Sequence, residues 1–112
     1  MRVGLITVCL LLVAASPWPN AVSVKLLIGE WRSDEGTTYH FRGNGTWFSH
    51  GADIGEGGRW RLRPGNQLEL ILYDSDGKKM RADIILIDRV VHETLYVRYH
   101  RQREIWLKQP GP

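Results

Sequence analysis

The chain has 112 residues, of which 43% are hydrophobic, 10% aromatic and 24% charged. That is the composition of one compact domain: too apolar for a disordered tail, too polar for a multi-span membrane protein, and too short for separate cofactor and substrate domains. Fifteen Lys plus Arg against twelve Asp plus Glu leave a net +3 with no run of five or six like charges, so charge alone implies no nucleic-acid partner.

Within residues 1–21 Arg2 is the only charge, Val3 to Ala15 form an apolar run, and small and turn-forming residues follow. This is the layout of a secretory signal peptide, with cleavage expected between Ala15 and Ala21, and it predicts a periplasmic or secreted protein. The run is shorter than the roughly 20 residues of a spanning helix, so no integral membrane insertion is expected after signal removal. Cys9, the one cysteine, lies in the middle of the run rather than at its end, which argues against a lipid anchor. The remaining domain, 22–112, then holds no thiol and must be held by packing rather than disulfides.

Val22 to Ile28 is the one later stretch that fits a helical turn. From Gly29 onward apolar and polar residues alternate in short stretches separated by Gly, Asn, Pro and Asp. Period two with this punctuation predicts strands over 30–34, 37–42, 46–50, 58–63, 67–73, 80–88, 92–99 and 104–108, each paired with its neighbour in an antiparallel meander.

Three hairpins set the expected register. A two-residue type I′ turn at Asn44-Gly45 places Arg42 opposite Trp47 and Phe41 opposite Phe48. A three-residue loop at Pro64-Gly65-Asn66 pairs Leu62 with Leu68, Trp60 with Leu70 and Arg61 with Glu69. A three-residue loop over 101–103 pairs Tyr99 with Ile105, Val97 with Leu107 and Arg98 with Trp106. The inward set is then Tyr39, Phe41, Phe48, Trp60, Leu62, Leu68, Leu70, Leu72, Leu95, Val97, Tyr99, Ile105 and Leu107. The segment Asp83-Ile84-Ile85-Leu86-Ile87-Asp88 is apolar on both faces and does not reveal its inner side. Closing eight strands into a barrel removes two exposed edges, so an all-β, eight-stranded, up-and-down barrel with a short N-terminal helical turn is expected.

Gly29-Glu30-Trp31, Thr38-Tyr39-His40-Phe41, the hairpin Gly43-Asn44-Gly45-Thr46 and Gly58-Arg59-Trp60 together resemble small bacterial lipocalin-like domains, barrels of the calycin type. The resemblance spans about residues 26–108. In that family a Gly-x-Trp opens the first strand after a short helical turn and its tryptophan plugs one end, a role the resemblance implies for Trp31. It also implies a small apolar or amphipathic ligand held inside the barrel, here by Trp31, Tyr39, Phe41, Phe48, Trp60, Leu70 and Tyr99.

Other chemistry is weakly signalled. His40, His50, His92 and His100 share no HxH or HxxxH spacing, so no metal is expected. Asp74-Ser75-Asp76-Gly77 starts like a calcium loop but has Ile85 at the twelfth position, and a hairpin turn explains it. No Gly-x-Ser-x-Gly elbow or acid, base and nucleophile grouping stands out, so neither an enzyme nor a cofactor is expected. Arg59, Arg61 and Arg63 line one strand face, with Glu69 as partner to Arg61, and a solvated face accounts for them better than nucleic acid does. Asn44-Gly45-Thr46 matches a glycosylation sequon, though the tight turn accounts for those residues. An alternative function is a protein-binding module or inhibitor acting through an outer face of Trp47, Trp106, Ile71, Tyr73, Tyr96 and Arg98.

Overall fold

The computed structural model describes residues 22–51 and 55–111; the signal segment expected over 1–21 lies outside them. Eight antiparallel strands follow one another around a closed barrel: β1 Gly29–Ser33, β2 Thr38–Phe41, β3 Thr46–His50, β4 Glu56–Arg63, β5 Gln67–Tyr73, β6 Lys79–Val91, β7 Thr94–Tyr99 and β8 Gln102–Lys108. The expected fold class is the observed one. β8 returns to β1 through Trp31 opposite Lys108, Arg32 opposite Leu107 and Ser33 opposite Trp106, so no strand edge is left unpaired. A single helical turn, α1 Val24–Leu27, precedes the barrel, with the Ser23 side chain accepting from the Leu26 amide.

Glycine at the fourth position of a turn sets three of the hairpins. At Ser33–Gly36, Arg42–Gly45 and Asp74–Gly77 the glycine amide bonds back to the carbonyl three residues earlier, and Gly36, Gly45 and Gly77 have φ of 90°, 87° and 80°. This is a type I turn closed by a left-handed residue, the geometry of a three-residue hairpin loop. At Asp74 the carboxylate also accepts from the Asp76 and Lys78 amides, which is the solvated turn expected there.

The β4–β5 register is as expected, with Leu62 opposite Leu68, Trp60 opposite Leu70 and Arg61 opposite Glu69, the last two joined as an ion pair. The other two hairpins differ from expectation, the β2–β3 hairpin by one residue and the β7–β8 hairpin by three. Because Arg42 carries the first turn and Gly45 its left-handed position, Phe41 faces Trp47, not Phe48, and Phe48 faces His40. Between β7 and β8 the turn is the two residues His100 and Arg101, both at positive φ (53° and 65°), so Tyr99 faces Gln102 and Arg98 faces Arg103. Leu95, not Arg98, lies opposite Trp106.

A slip by an odd number of residues, one in β3 and three in β8, turns a whole strand over. Trp47 and Trp106, expected outside, are buried in the core, whereas Phe48 lies half-buried on the outer wall and Ile105 and Leu107 are exposed there. The larger indoles gain more by burial than the side chains they displace. In β6 the inner side is Asp83, Ile85 and Ile87.

The interior is packed rather than hollow. Trp31, Phe41, Trp47, Trp60, Trp106, Leu68, Leu70, Leu72, Ile85, Leu95 and Val97 form one continuous cluster with Leu27. Trp31 and Leu27 close one end: the indole Nε1 donates to the Leu27 carbonyl at 2.9 Å, and Lys108 Nζ sits 4.9 Å above the ring while donating to the Leu26 and Ile28 carbonyls. The plug role implied for Trp31 matches this position.

Candidate functional site

In an up-and-down barrel alternate connections gather at opposite ends. The β1–β2, β3–β4, β5–β6 and β7–β8 connections rim the end away from α1, and there the core gives way to a cavity of about 160 Å³. Thr37, Tyr39, Trp47, Ser49, His50, Gly51, Glu56 and Tyr99 line it. An apolar cavity of about this size in another protein holds a benzene molecule, so a ring-sized body fits.

Its floor is aromatic. The Tyr39 ring stacks on Trp106 with centroids 4.3 Å apart, and Trp47 lies 6.4 Å from Tyr39. Trp47 reaches this position across β4: its Nε1 donates to the Ile71 carbonyl of β5 at 3.3 Å, over Gly58.

Carboxylates stand around this floor. Asp83 is buried and accepts from the Tyr99 hydroxyl at 2.8 Å, and Arg81 bridges Asp83 and Glu56 at 3.4 Å and 3.1 Å. Glu104, also buried, accepts from Trp106 Nε1 at 2.9 Å. Burial raises the Glu104 pKa; the Trp106 hydrogen bond opposes that, while the charges of Glu35 and Asp34 reinforce it. Burial also drives the Tyr39 pKa far above its ordinary value, and Glu104, Glu56 and Asp83 add to it. For Tyr99 burial comes first and the bond to Asp83 second. Both phenols therefore stay protonated in the folded protein.

Two buried residues at this cavity carry hydroxyls without a partner. Tyr39 is 7% exposed and Ser49 8%, and neither side chain finds a hydrogen-bond partner among the described residues. Buried polar groups are nearly always paired, by protein, water or ligand, so an orphaned pair lining one cavity marks a place where something else donates or accepts.

The residues expected to hold a ligand divide into three groups. Tyr39 and Tyr99 line the cavity. Trp31, Phe41, Trp60 and Leu70 are packed core, with Trp60 Nε1 satisfied by the Arg42 carbonyl. Phe48 is on the wrong face: it stacks on His40 at 4.1 Å beneath the Arg42 guanidinium. Ser49, Glu56, Asp83, Trp47, Glu104 and Trp106 were not singled out as inward. Alternation through the Trp47 register would have found Ser49, and Trp106 in the inward phase would have brought Glu104 with it.

Beyond the cavity, the outer wall pairs His40 with His50, Nε2 to Nε2 at 2.9 Å, with Glu30 3.5 Å from His40 Nδ1. No group of three or more His, Cys, Asp or Glu among the described residues is placed to hold a metal ion. Nor is any helix among them long and apolar enough to cross a membrane. Comparison with protein families, curated proteins and solved structures finds no match to this chain.

Proposed function

We propose that this barrel is an exported binding protein that holds one small amphipathic ligand at its open end. The observation that carries the reading is that Tyr39 and Ser49, both buried residues at an aromatic-lined cavity, have side-chain hydroxyls with no hydrogen-bond partner among the described residues. A packed interior behind them leaves no room for a long lipid chain, so the ligand is compact, with its ring or short chain against Tyr39, Trp47 and Tyr99 and its polar group toward the two hydroxyls. The apolar barrel interior implied by the lipocalin-like resemblance thus becomes a shallow site at the rim. Export rests on the signal-like segment 1–21. The competing outer-face reading loses its two largest anchors, because Trp47 and Trp106 are in the core.

A screen of ring-sized amphiphiles by tryptophan fluorescence and melting temperature tests this. Trp47 lines the cavity and Trp106 stacks on a residue that does, so a ligand changes their emission and raises the melting point. Binding to the wild type that weakens in Tyr39→Phe supports the reading; a flat response across the screen refutes it.

A further inference from the structure

Among the barrel's features the charge of the open end is the least expected in a chain of net +3. Glu56, Asp83 and Glu104 surround the aromatic floor, and among the described residues the one guanidinium bonded to any of them is Arg81, shared between Glu56 and Asp83. Glu104 has a neutral donor, Trp106 Nε1, and stands near the further negative charges of Glu35 and Asp34, with His100 as the opposing neighbour. His50, which also lines the cavity, is engaged with His40 on the outer wall. The field over Tyr39 is thus negative, and the faces of Tyr39, Trp47 and Tyr99 add the negative side of their ring quadrupoles.

We propose that this cavity selects a ring-sized organic cation, a primary ammonium on an aromatic or short aliphatic body, rather than a neutral or acidic ligand; the proposal rests on the ligand-holding reading above and names its chemical class. An ammonium brings three donors and no acceptor. The Tyr39 and Ser49 oxygens accept two of them and a carboxylate of the rim accepts the third, which satisfies side chains that otherwise have no partner among the described residues. A neutral alcohol pairs the hydroxyls but does nothing for the negative charge that Arg81, shared between two of the three acids, does not offset. An anion is repelled by the three acids. Arg81 acts as an internal competitor, holding Glu56 and Asp83 in the unliganded protein and yielding part of that contact to the incoming cation.

Three probes of one size separate the classes: benzylammonium, benzyl alcohol and benzoate, titrated by tryptophan fluorescence and calorimetry at low and high salt. Benzylammonium is expected to bind about tenfold or more tightly than benzyl alcohol, with benzoate failing to register. Glu56→Gln, at an exposed strand start, is expected to weaken benzylammonium more than benzyl alcohol and so to reduce that preference. Arg81→Gln is expected to strengthen benzylammonium binding, a direction that mere loss of structure does not produce. Equal binding of benzylammonium and benzyl alcohol overturns the charge preference and leaves the ligand-holding reading intact, as does preference for benzoate. If none of the three binds but another neutral amphiphile does so in a Tyr39-dependent way, the cation proposal falls alone. If nothing binds, both fall.

Discussion

Two tyrosines a few ångströms from one cavity are in opposite situations, and the difference is measurable. The Tyr99 hydroxyl donates to Asp83, whereas Tyr39 is buried with no partner among the described residues. Tyr99→Phe removes a hydrogen bond to a charged acceptor and is expected to cost about 1 to 3 kcal/mol in urea unfolding. Tyr39→Phe removes an unsatisfied hydroxyl and is expected to leave the unliganded protein equally stable or more stable by about 1 kcal/mol. The same residues set the alkaline limit. Both phenols have folded pKa values raised above the ordinary 10.0, so the folded state keeps protons that the unfolded state releases. Their contribution is complete below pH 10 and is lost as pH rises above it, so stability falls in alkali, less steeply in Tyr39→Phe. On the acid side the His40 pKa is lowered from 6.5, by burial first and then by His50 and Arg42 against the pull of Glu30. The folded state there binds fewer protons than the unfolded one, so urea melts from pH 8 to 5 are expected to show stability dropping as pH passes below about 6.5.

Strand existence and order were legible in the sequence; register was legible only where composition distinguished the two faces. In β4 and β5 charge pairs with charge and leucine with leucine on either side of Pro64-Gly65-Asn66, and one register alone satisfies both. In β3 Trp47 and Phe48 are adjacent, and in β8 Ile105, Trp106 and Leu107 are consecutive, so either face is apolar and turn chemistry decides. The turns then departed from the simplest patterns: Gly45, at φ 87°, closes a three-residue loop Gly43-Asn44-Gly45, and His100-Arg101 take a left-handed pair of conformations usually filled by Asn and Gly. The consequence for the site is direct, since these two strands carry Trp47, Ser49, Glu104 and Trp106. Tyr39 and Tyr99 were legible as inward, whereas Thr37, His50, Gly51 and Glu56 sit at strand ends or in the turns beside them, where alternation is too short to assign a face. Gly57 and Gly58 carry structural meaning of their own in β4. A Cβ at Gly58 would lie 1.8 Å from the Ile71 carbonyl oxygen, the same oxygen that accepts from the Trp47 indole. Gly58→Ala is therefore expected to force β4 away from β5 and to destabilise by about 3 kcal/mol or more in chemical unfolding, with Trp47 emission shifted to the red. Retention of wild-type stability would show that the indole does not cross at this point.

At the scale of the molecule the barrel has a locked end and an open one, and the lock is also the seam. β8 meets β1 through only three residue pairs, and Lys108 lies at the end of that seam, opposite Trp31. Its ammonium donates to the Leu26 and Ile28 carbonyls, the last of these at 2.8 Å, and stands over the Trp31 ring, so one side chain ties the last strand to the helical turn and the plug. Gly29, at φ of 133°, makes the space: a Cβ there would come within 2.8 Å of Lys108 Cε. Lys108→Met keeps most of the apolar stem and removes the charge, two hydrogen bonds and the cation–π contact, and is expected to cost about 1 to 3 kcal/mol. The loss is expected to be local before it is global. Sequence neighbours elsewhere in the meander hold one another without help from closure, whereas β1 and β8 are joined across almost the whole described chain, and loop-closure entropy works against them. Hydrogen exchange on Lys108→Met should therefore accelerate first at the amides of β1 and β8 and leave β4 and β5 protected. Because the open end shares Trp106 and Ser33 with this seam, a loosened seam also disturbs the floor beneath Tyr39, and benzylammonium should restore part of the lost protection if the cavity binds it. Uniform acceleration across all eight strands would instead show that closure and meander fold as one indivisible unit.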